Sequence, residues 1–456
     1  MSSSNLSAYR QSFIQTMITR LLAKDIASAS DADLLLQGAM LKMMSSVSSP
    51  SADQEISDLF GYNITSNYVG VAYNRATDTF IRLGASGSQP IGALMNMTLS
   101  PVFSRLRRVV LTDAGLVYAG ISWPNKTLHD DGSAVSLQGA NGQIMVEYLP
   151  GYYKAGEWGD WAYLLLSHLP LSGFSLHPLF TGYSAVYRGA YEGSIYNGKL
   201  CSISLSPADG TSPVYPVTTR SGTWGHASLT TQATDTLATA RGTGWQQEDL
   251  LTAEWERMLM LVGYASYDIP SIVGAGRVNV GGDWVDGSLI GKCGLSNASA
   301  GYASAVQNGG TSGQATDYSH VLGIENPWGN VWKRVASLIS DGAVYYKSAP
   351  PYDYSTVSGW TRLQDALGNN ITLPQNHGWA GTPHSGRGMV MPKDVTGSSS
   401  TKMRNYYWYI GGLRVLLAGG ASNNGANAGP FGWAAADAAS NTRADVGGRL
   451  CFKKAA

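Results

Sequence analysis

Glycine is unusually frequent in this chain, at 55 of 456 residues, where about 7% is usual. Aromatic residues are also abundant, since Phe, Trp and Tyr make up 10% of the sequence. Glycine adopts backbone conformations that other residues avoid, and aromatic rings supply large packing surfaces. The composition therefore predicts tight turns and stacking surfaces, in a chain long enough for roughly two to four domains.

Charged residues are scarce and balanced, at 31 Lys and Arg against 31 Asp and Glu. They make up 14% of the chain, against about 25% in an average protein. Nucleic-acid affinity depends largely on clustered Lys and Arg, so no nucleic-acid partner is predicted. No stretch approaches the roughly 18 apolar residues that a membrane span requires, so no membrane insertion is predicted.

The N-terminus and the cysteines bear on where the chain is made. Residues 1–5 are polar, and the basic residues followed by an apolar run that mark a cleaved export signal are not recognisable there. No such signal is predicted. Cys201, Cys293 and Cys451 are too few and too scattered for a disulfide framework or a four-thiolate metal site. We interpret them as packing residues in a chain made in a reducing cytoplasm.

The first 50 residues have a helical pattern. Apolar residues recur at helical spacing over residues 9–24, and a second short helix is predicted over residues 34–44. The Ser-rich residues 45–53 are typical of a hinge. We therefore expect residues 1–50 to be a helical attachment or trimerisation segment. A two-helix hairpin packed on the first domain is the alternative.

The following residues change to an alternating pattern that predicts strands. Two β-hairpins are expected, over residues 62–83 with a turn at 74–78 and over residues 108–121 with a turn at 113–115. Residues 51–150 are thus predicted to be a β-rich intermediate region of one or two domains.

Beyond residue 150 two helices are predicted among strands and turns. The first covers residues 245–262, with a capping box at Thr243 and Gln246 and a stop at Gly263, and the second covers residues 328–339. Together with the preceding segments, this pattern indicates an α+β protein.

Motifs for catalysis and metal binding are not recognisable. No nucleophile elbow, phosphate loop or zinc signature occurs in the sequence with the flanking pattern that it requires. His377 and His384 are seven residues apart, but no carboxylate or thiol accompanies them at a metal-ligand spacing. Asp283 and Asp286 lack the alternating acidic pattern of a calcium loop. No catalytic residue, metal or cofactor is therefore predicted.

Four carboxylates are available for glycan hydrolysis, which needs a pair of acids. They are Glu157, Asp160, Glu254 and Glu256. The last two fall on the first predicted helix of this region, where such residues are usually the solvated face. A glycosidase is therefore the less favoured interpretation.

The C-terminal segment, residues 404–451, alternates two kinds of position. Glycines and apolar residues form a frame of turns and short strands, and small or polar residues lie between them. A frame that fixes the backbone while the intervening side chains point outward is typical of binding loops on a rigid scaffold. An ordinary Gly/Ala/Asn-rich surface loop is the alternative.

The segment reads GGASNNGANAGPFGW and then VGGRL. It resembles the variable region of proteins diversified by retroelements, of the major-tropism-determinant type found on phage tail fibres, in which GGNWNNGANAGPFYW and IGGRL are common. Where that pattern has Asn-type residues, this chain has Ala, Asp or Arg, and Gly432 stands in place of an aromatic residue. Adenine-directed mutation of an Asn codon yields Ala, Asp, Gly and Arg codons. The resemblance therefore implies a variable region over residues 404–451.

A second resemblance lies upstream. GIENPWGNVWKRV, at residues 323–335, is similar to the core motif of the C-type lectin fold as found in formylglycine-generating enzymes and phage adhesins. It implies that residues 151–456 form a C-type lectin-like ligand-binding domain of the formylglycine-generating-enzyme type. The catalytic cysteine pair of that enzyme branch is not recognisable here, so its activity is not carried over.

The resemblances imply a non-enzymatic receptor-binding protein of a phage tail fibre. It would bind a bacterial surface receptor, protein or glycan, as a homotrimer joined to other virion tail proteins through its N-terminus. The alternatives are a fibre-borne polysaccharide depolymerase, a retroelement-diversified display protein of a cell, and a purely structural decoration. The predicted ligand-binding residues, whose side chains are expected to point outward, are Tyr406, Tyr407, Tyr409, Ala421, Asn423, Asn424, Asn427, Gly432, Trp433, Ala434, Ala436, Asp437, Asn441, Arg443 and Asp445.

Overall fold

The computed structural model describes residues 67–456, except residues 88, 99, 101, 159, 172, 217–228, 281–289, 307–315 and 386–389. The helices predicted within residues 1–50 lie outside the described residues, as do Asp283 and Asp286.

The first part of the described chain consists of short strands. They are β1 (Tyr68–Asn74), β2 (Thr79–Gly84), β3 (Arg107–Leu111), β4 (Val117–Ile121), β5 (Gln143–Tyr148), β6 (Tyr152–Trp158), β7 (Trp161–Ser167), β8 (Ser175–Leu176), β9 (Tyr183–Gly189), β10 (Ser194–Tyr196) and β11 (Lys199–Cys201). The α-helices follow, with one strand among them: α1 (Thr231–Thr239), β12 (Trp245–Gln247), α2 (Leu250–Tyr264) and α3 (Ile269–Val273).

Strands again make up the rest of the described chain. They are β13 (Ala303–Val306), β14 (Tyr318–Val321), β15 (Ile324–Glu325), β16 (Trp332–Ser340), β17 (Val344–Tyr346), β18 (Thr361–Arg362), β19 (Gly378–Trp379), β20 (Tyr406–Tyr409), β21 (Arg414–Ala418), β22 (Trp433–Asp437), β23 (Val446–Gly447) and β24 (Leu450–Ala455). In the described residues strand is thus the main secondary structure and helices are few, so the α+β prediction is confirmed only in part, as a β-rich fold with few helices.

The strands form three large sheets with crossed connections. One has the order β2-β1-β7-β6-β8, a second β12-β24-β9-β5-β3-β4, and the largest β18-β17-β16-β21-β22-β20-β19 with β23 beside β16. The first two sheets each combine strands from before and after residue 150, and the second also contains the C-terminal strand. The predicted domain boundary at residue 150 is therefore wrong, because hydrogen-bonded sheets and one apolar core cross it.

Both predicted hairpins are confirmed. β1 and β2 pair antiparallel around a turn in which the Asn74 side chain accepts hydrogen bonds from the Ala76 and Thr77 amides at 2.9 and 3.0 Å. β3 and β4 also pair antiparallel, and Gly115 in their turn has a φ of 75°. Local turn chemistry specifies such hairpins, and this is why the sequence predicts them.

Helix α2 begins later and ends later than predicted. Residues 245–247 form β12 beside β24, and the cap is Asp249, whose side chain accepts a hydrogen bond from the Thr252 amide at 3.0 Å. The capping box at Thr243 and Gln246 is therefore wrong. Gly263 lies inside the helix, and Ala265 ends it in the left-handed conformation with a φ of 50°.

The helix predicted at residues 328–339 is instead strand β16. All nine of its residues are buried. A bulge between Arg334 and Ile339, with Ser337 at a φ of 67°, breaks the alternation of faces. One face then carries Trp332, Ala336 and Ile339, and the other carries Val335 and Leu338. Spacings of three and four residues in a bulged strand therefore imitate a helix.

The two faces of the largest sheet are covered by different parts of the chain. The inner face, which carries Val335 and Leu338, shares the main apolar core with α2. The outer face, which carries Trp332 and Ile339, packs against aromatic residues of the segment 345–360. These aromatic residues are Tyr345, Tyr352, Tyr354 and Trp360.

The carboxylates of α2 are buried, so the prediction that they form a solvated face is wrong. Glu256 forms an ion pair with Arg188 of β9, and Glu254 Oε2 lies 3.3 Å from His177 Nε2. The Arg188 guanidinium also donates two hydrogen bonds of 3.0 Å to Glu248. Buried charges require partners, and these pairs join the helix to the second sheet.

Asp235 of α1 supports a prediction about pH. It is buried, accepts a hydrogen bond of 2.6 Å from the Tyr354 hydroxyl, and has its pKa raised by burial from 3.8 to about 7. The folded state holds a proton that the unfolded chain releases. The stability from this group is therefore fully present below about pH 4 and is lost as the pH rises through about 7.

We expect Asp235→Asn, which keeps an acceptor for Tyr354 but carries no charge, to raise the free energy of unfolding more at pH 8 than at pH 5. Urea denaturation at both pH values measures this difference. Asp160→Asn, at an exposed position, is the control and should show no such difference. An equal effect of Asp235→Asn at both pH values would contradict the prediction.

Candidate functional site

The C-terminal segment forms the centre of the largest sheet rather than a separate surface loop. β22 pairs in parallel with β20 and antiparallel with β21. In this arrangement Tyr407 lies opposite Trp433, and Tyr409 lies opposite Ala435. The sheet therefore brings together the predicted residues of the tyrosine run and those of the strand after the glycine-rich loop.

Seven of the fifteen predicted ligand-binding residues are buried, so the expectation that they point outward is wrong for them. Tyr407 and Trp433 are covered by the main core, and Ala421 and Ala434 pack in the cluster that includes aromatic residues of the segment 345–360. Asp437 and Asp445 are buried with Arg443 as their partner. The buried residues are Tyr407, Ala421, Gly432, Trp433, Ala434, Asp437 and Asp445.

Trp433 and Tyr407 occupy the inner face and are core residues. The Trp433 indole donates a hydrogen bond of 2.6 Å to the Val390 carbonyl. The guanidinium of Arg257, on α2, lies 4.9 Å from the centre of the Trp433 ring. Tyr407 is fully buried in the same core. These aromatic residues attach the sheet to the helix and cannot reach a ligand.

The outer face carries a row of packed aromatic rings. The ring centres of Trp379 and Tyr406 are 5.5 Å apart, those of Tyr406 and Trp408 4.7 Å, and those of Trp408 and Trp332 5.0 Å. Trp379, Tyr406 and Trp408 are partly exposed. Trp379 and Trp408 are not among the predicted residues. Strand alternation was the available signal for Trp408, because it places this side chain on the same face as Tyr406.

The polar residues after β22 form a closed network. Arg443 donates two hydrogen bonds to the Asp445 carboxylate, at 2.9 and 2.8 Å, and lies 3.4 Å from Asp437. Asn441 donates a hydrogen bond of 3.2 Å to Asp437. Burial raises the pKa of Asp445, which the neighbouring Arg443 opposes. Arg443 is one cation between two carboxylates, and Arg334 adds a second positive charge near Asp437. Only Asn441 and the partly exposed Arg443 of this network remain accessible.

The glycine-rich loop before β22 is held by backbone contacts. The Gly425 amide donates a hydrogen bond of 2.6 Å to the Val278 carbonyl, and the Ser422 amide one of 2.9 Å to the Asn330 carbonyl. The Asn424 side chain accepts a hydrogen bond of 2.7 Å from the Ala421 amide. Asn424 thus shapes its own loop.

A groove of about 390 Å³ lies beside this loop. Gly425, Ala426 and Ala428 form one side of it, and Asp268 and Arg404 contribute charged groups to its lining. It is an accessible space next to the predicted residues of the loop.

Eight of the fifteen predicted residues remain partly or fully exposed, and we call them the accessible set. One group precedes β22 along the chain and another belongs to its end and the loop that follows. The accessible set comprises Tyr406, Tyr409, Asn423, Asn424, Asn427, Ala436, Asn441 and Arg443. Within it, the Tyr409 hydroxyl is hydrogen-bonded to Gln375.

The described residues contain no group of three or more His, Cys, Asp or Glu side chains that could hold a metal ion. His384 lies with Nε2 3.0 Å from the Thr372 carbonyl oxygen. Of the candidate carboxylates, Glu157 contacts Arg75 and Ser385. Cys201, Cys293 and Cys451 are free and buried. In the part of the chain that the structure describes, each α-helix is too short or too polar to cross a bilayer.

Comparison with known protein families finds no family model that matches the chain, and comparison with curated proteins finds none similar to it. The functional assignment therefore depends on the residues and on their geometry.

Ala434 and Ala436 test which positions tolerate exchange. Ala434 is buried on the outer face with Trp332 and Leu417, whereas Ala436 is partly exposed two residues further along β22. We expect Ala434→Asn to lower the free energy of unfolding by about 1 to 3 kcal/mol, because it overfills the packing and buries an amide. We expect Ala436→Asn to change it by about 0.5 kcal/mol or less. Urea denaturation of both variants measures this, and equal losses would contradict the distinction between buried and accessible positions.

Proposed function

We propose that this chain is a non-enzymatic receptor-binding protein of a phage tail fibre. In this proposal its C-terminal region has a C-type lectin-like fold and binds a bacterial surface receptor through residues diversified by a retroelement. The observation that carries the proposal is the accessible set, whose members come from a segment with a buried glycine and apolar frame. The resemblance of the segment 404–451 to retroelement-diversified proteins supports the same function.

The backbone contacts of the glycine-rich loop support a binding role. Hydrogen bonds from Gly425 and Ser422 attach the loop to segments outside it. A loop that is already held in place loses little conformational entropy when it binds a partner, so a larger share of the contact free energy appears as affinity. Tyr406 and Tyr409 contribute partly exposed rings with few rotatable bonds, as tyrosines do in antibody binding loops.

The burial of the other seven predicted residues reduces the number of residues that can contact a receptor. An exchange at Tyr407 or Trp433 would remove core contacts, whereas an exchange at Asn427, Ala436 or Asn441 would leave the core unchanged. We therefore restrict the receptor contacts of this chain to the accessible set. The buried members of the predicted set serve as scaffold.

The accessible set has only eight residues, most of them partly buried, so we expect it to bind weakly as a single copy. We propose that the chain acts as a homotrimer on the virion, attached to other tail proteins through residues 1–50 after synthesis in the host cytoplasm. Linked copies raise apparent affinity by roughly 10²- to 10⁴-fold without new contacts.

Binding to cells tests the proposal. Fluorescent full-length protein is incubated with a panel of intact bacterial isolates and bound fluorescence is measured. On an isolate that binds, we expect combined Tyr406→Ala, Asn427→Ala and Asn441→Ala to reduce binding by about tenfold or more, because loss of about 1.4 kcal/mol changes affinity tenfold. Mass photometry of the same preparations reports whether the protein is the trimer that avidity requires.

The matched control is Tyr118→Ala with Asn370→Ala, at exposed positions away from the segment 404–451. It should bind as the unmodified protein does. Release of reducing sugar is measured in the same samples, since a depolymerase would cleave the surface polysaccharide. Full binding by the triple variant, with an unchanged melting temperature, would contradict the proposal.

The gene's surroundings provide an independent test. We expect a reverse transcriptase gene and a near-copy of the 3′ coding segment beside it, with differences confined to adenines of the copy. These differences should include the codons of Ala436 and Arg443, which belong to the accessible set. Sequencing of the locus decides this, and a copy that differs at other bases as often as at adenines would count against diversification.

A further inference from the structure

A second groove, of about 660 Å³, is lined by no residue of the segment 404–451. It lies where the β3–β4 turn, the loop before β5, the β10–β11 hairpin and the residues after α1 meet. We call it the Arg241 groove. Its lining combines apolar surface with several polar and charged side chains, and the residues used below are Asp113, Gln138, Asn141, Tyr196, Asn197, Lys199 and Arg241.

The charged part of the groove is organised by Arg241. Its side chain is 5% exposed and donates hydrogen bonds to the Leu200 carbonyl at 3.1 Å and to Cys201 Sγ at 2.9 Å. It also forms an ion pair with Asp113. Because each of its three nitrogens has an acceptor in the protein and the side chain is almost fully buried, Arg241 supplies positive charge rather than a ligand contact.

Lys199 is the cation that a ligand can reach. Its side chain is 39% exposed, and Nζ lies 3.5 Å from Asp113 Oδ2. Asp113 therefore compensates for one of two cations, and the lining has a net charge of +1 from Arg241, Lys199 and Asp113. An ammonium group has three donors, so Lys199 can bind a carboxylate while it stays near Asp113.

The rest of the lining suits a ligand rich in hydroxyl groups. The side-chain amides of Gln138, Asn141 and Asn197 form no hydrogen bond with other described residues. An amide side chain both donates and accepts, as a sugar hydroxyl does. Tyr196 is 36% exposed at the rim and offers a ring for apolar contact.

From these features we propose that the Arg241 groove binds a saccharide that carries a carboxylate, of the uronic acid type. Lys199 pairs with the carboxylate, the three amides bind hydroxyl groups, and the Tyr196 ring packs against the C–H face of a sugar ring. A saccharide is favoured over an acidic peptide, because three amide side chains can bind its hydroxyl groups, whereas Ile203 is buried and offers a peptide little apolar contact.

Titration of the unmodified full-length protein tests this without any variant. The probe is a tetrasaccharide of alternating glucuronate and N-acetylglucosamine, and binding is followed by calorimetry and saturation-transfer NMR. We expect binding that weakens as salt is added, and no binding of the neutral N-acetylglucosamine tetramer at the same concentrations. Absence of binding, or equal binding of the neutral tetramer, would overturn the proposal.

Variants then locate the site. Lys199→Gln should weaken binding of the acidic tetrasaccharide about tenfold, the scale of one charge-assisted hydrogen bond. Tyr196→Ala should also weaken it, whereas Lys454→Gln, at an exposed position on β24, is the matched control and should not. Both test residues lie on an exposed hairpin, and melting temperatures check their folding. Unchanged affinity of Lys199→Gln would overturn the proposal, as would equally tight binding of a triglutamate peptide.

This inference is independent of the receptor proposal. The combined variant at Tyr406, Asn427 and Asn441 should bind the tetrasaccharide as the unmodified protein does. If the tetrasaccharide does not bind but the triple variant loses binding to cells as expected, only the proposal for the Arg241 groove is rejected. If the tetrasaccharide binds but the triple variant still binds cells fully, only the proposal for the receptor surface is rejected.

Discussion

The attachment of helix α2 to the sheets around it is the interaction on which the rest of the structure depends. All fifteen of its residues are buried, and it contacts β1, β7 and β16. Its cap Asp249 pairs with Lys453 of β24, Glu256 pairs with Arg188 of β9, and Arg82 of β2 donates hydrogen bonds of 2.8 and 2.9 Å to its last carbonyls. One buried helix thus joins all three large sheets, because its charges find partners in each direction.

This arrangement determines what the C-terminal segment can do. The Arg257 guanidinium of α2 packs over the Trp433 ring and donates a hydrogen bond of 2.6 Å to the Pro430 carbonyl. The segment 345–360 covers the opposite face of the same sheet. Strand β22, which lies between α2 and the segment 345–360, therefore has few side chains that reach solvent. We therefore expect exchanges to be tolerated where the chain leaves the covered sheet, in the loops before and after β22. In this segment, accessible residues and core residues are thus close neighbours along the chain.

The sequence predicted the elements whose cause is local. Asn74 and Gly115 specify the two hairpin turns through a side-chain hydrogen bond and a positive φ, and both hairpins are present. The prediction failed at β16, because a bulge at Ser337 gives buried residues the spacing of a helix. It also failed at Glu254 and Glu256, since a solvated helix face and a face of paired buried charges contain the same residue types. In each case the missing information was the identity of the distant partner.

In the candidate site, too, some features follow from the local sequence and others from contacts with distant parts of the chain. The pattern of glycines, apolar residues and small polar residues predicted turns and short strands over residues 404–451, because turns and alternation are properties of the local chain. Which side chains of this segment reach solvent could not be read from the pattern. Burial of Trp433 depends on Arg257 of α2, and burial of Ala434 depends on residues 345–360, which pack there only when the whole chain is folded. Accessibility is a property of the assembled layers, and local sequence does not encode it.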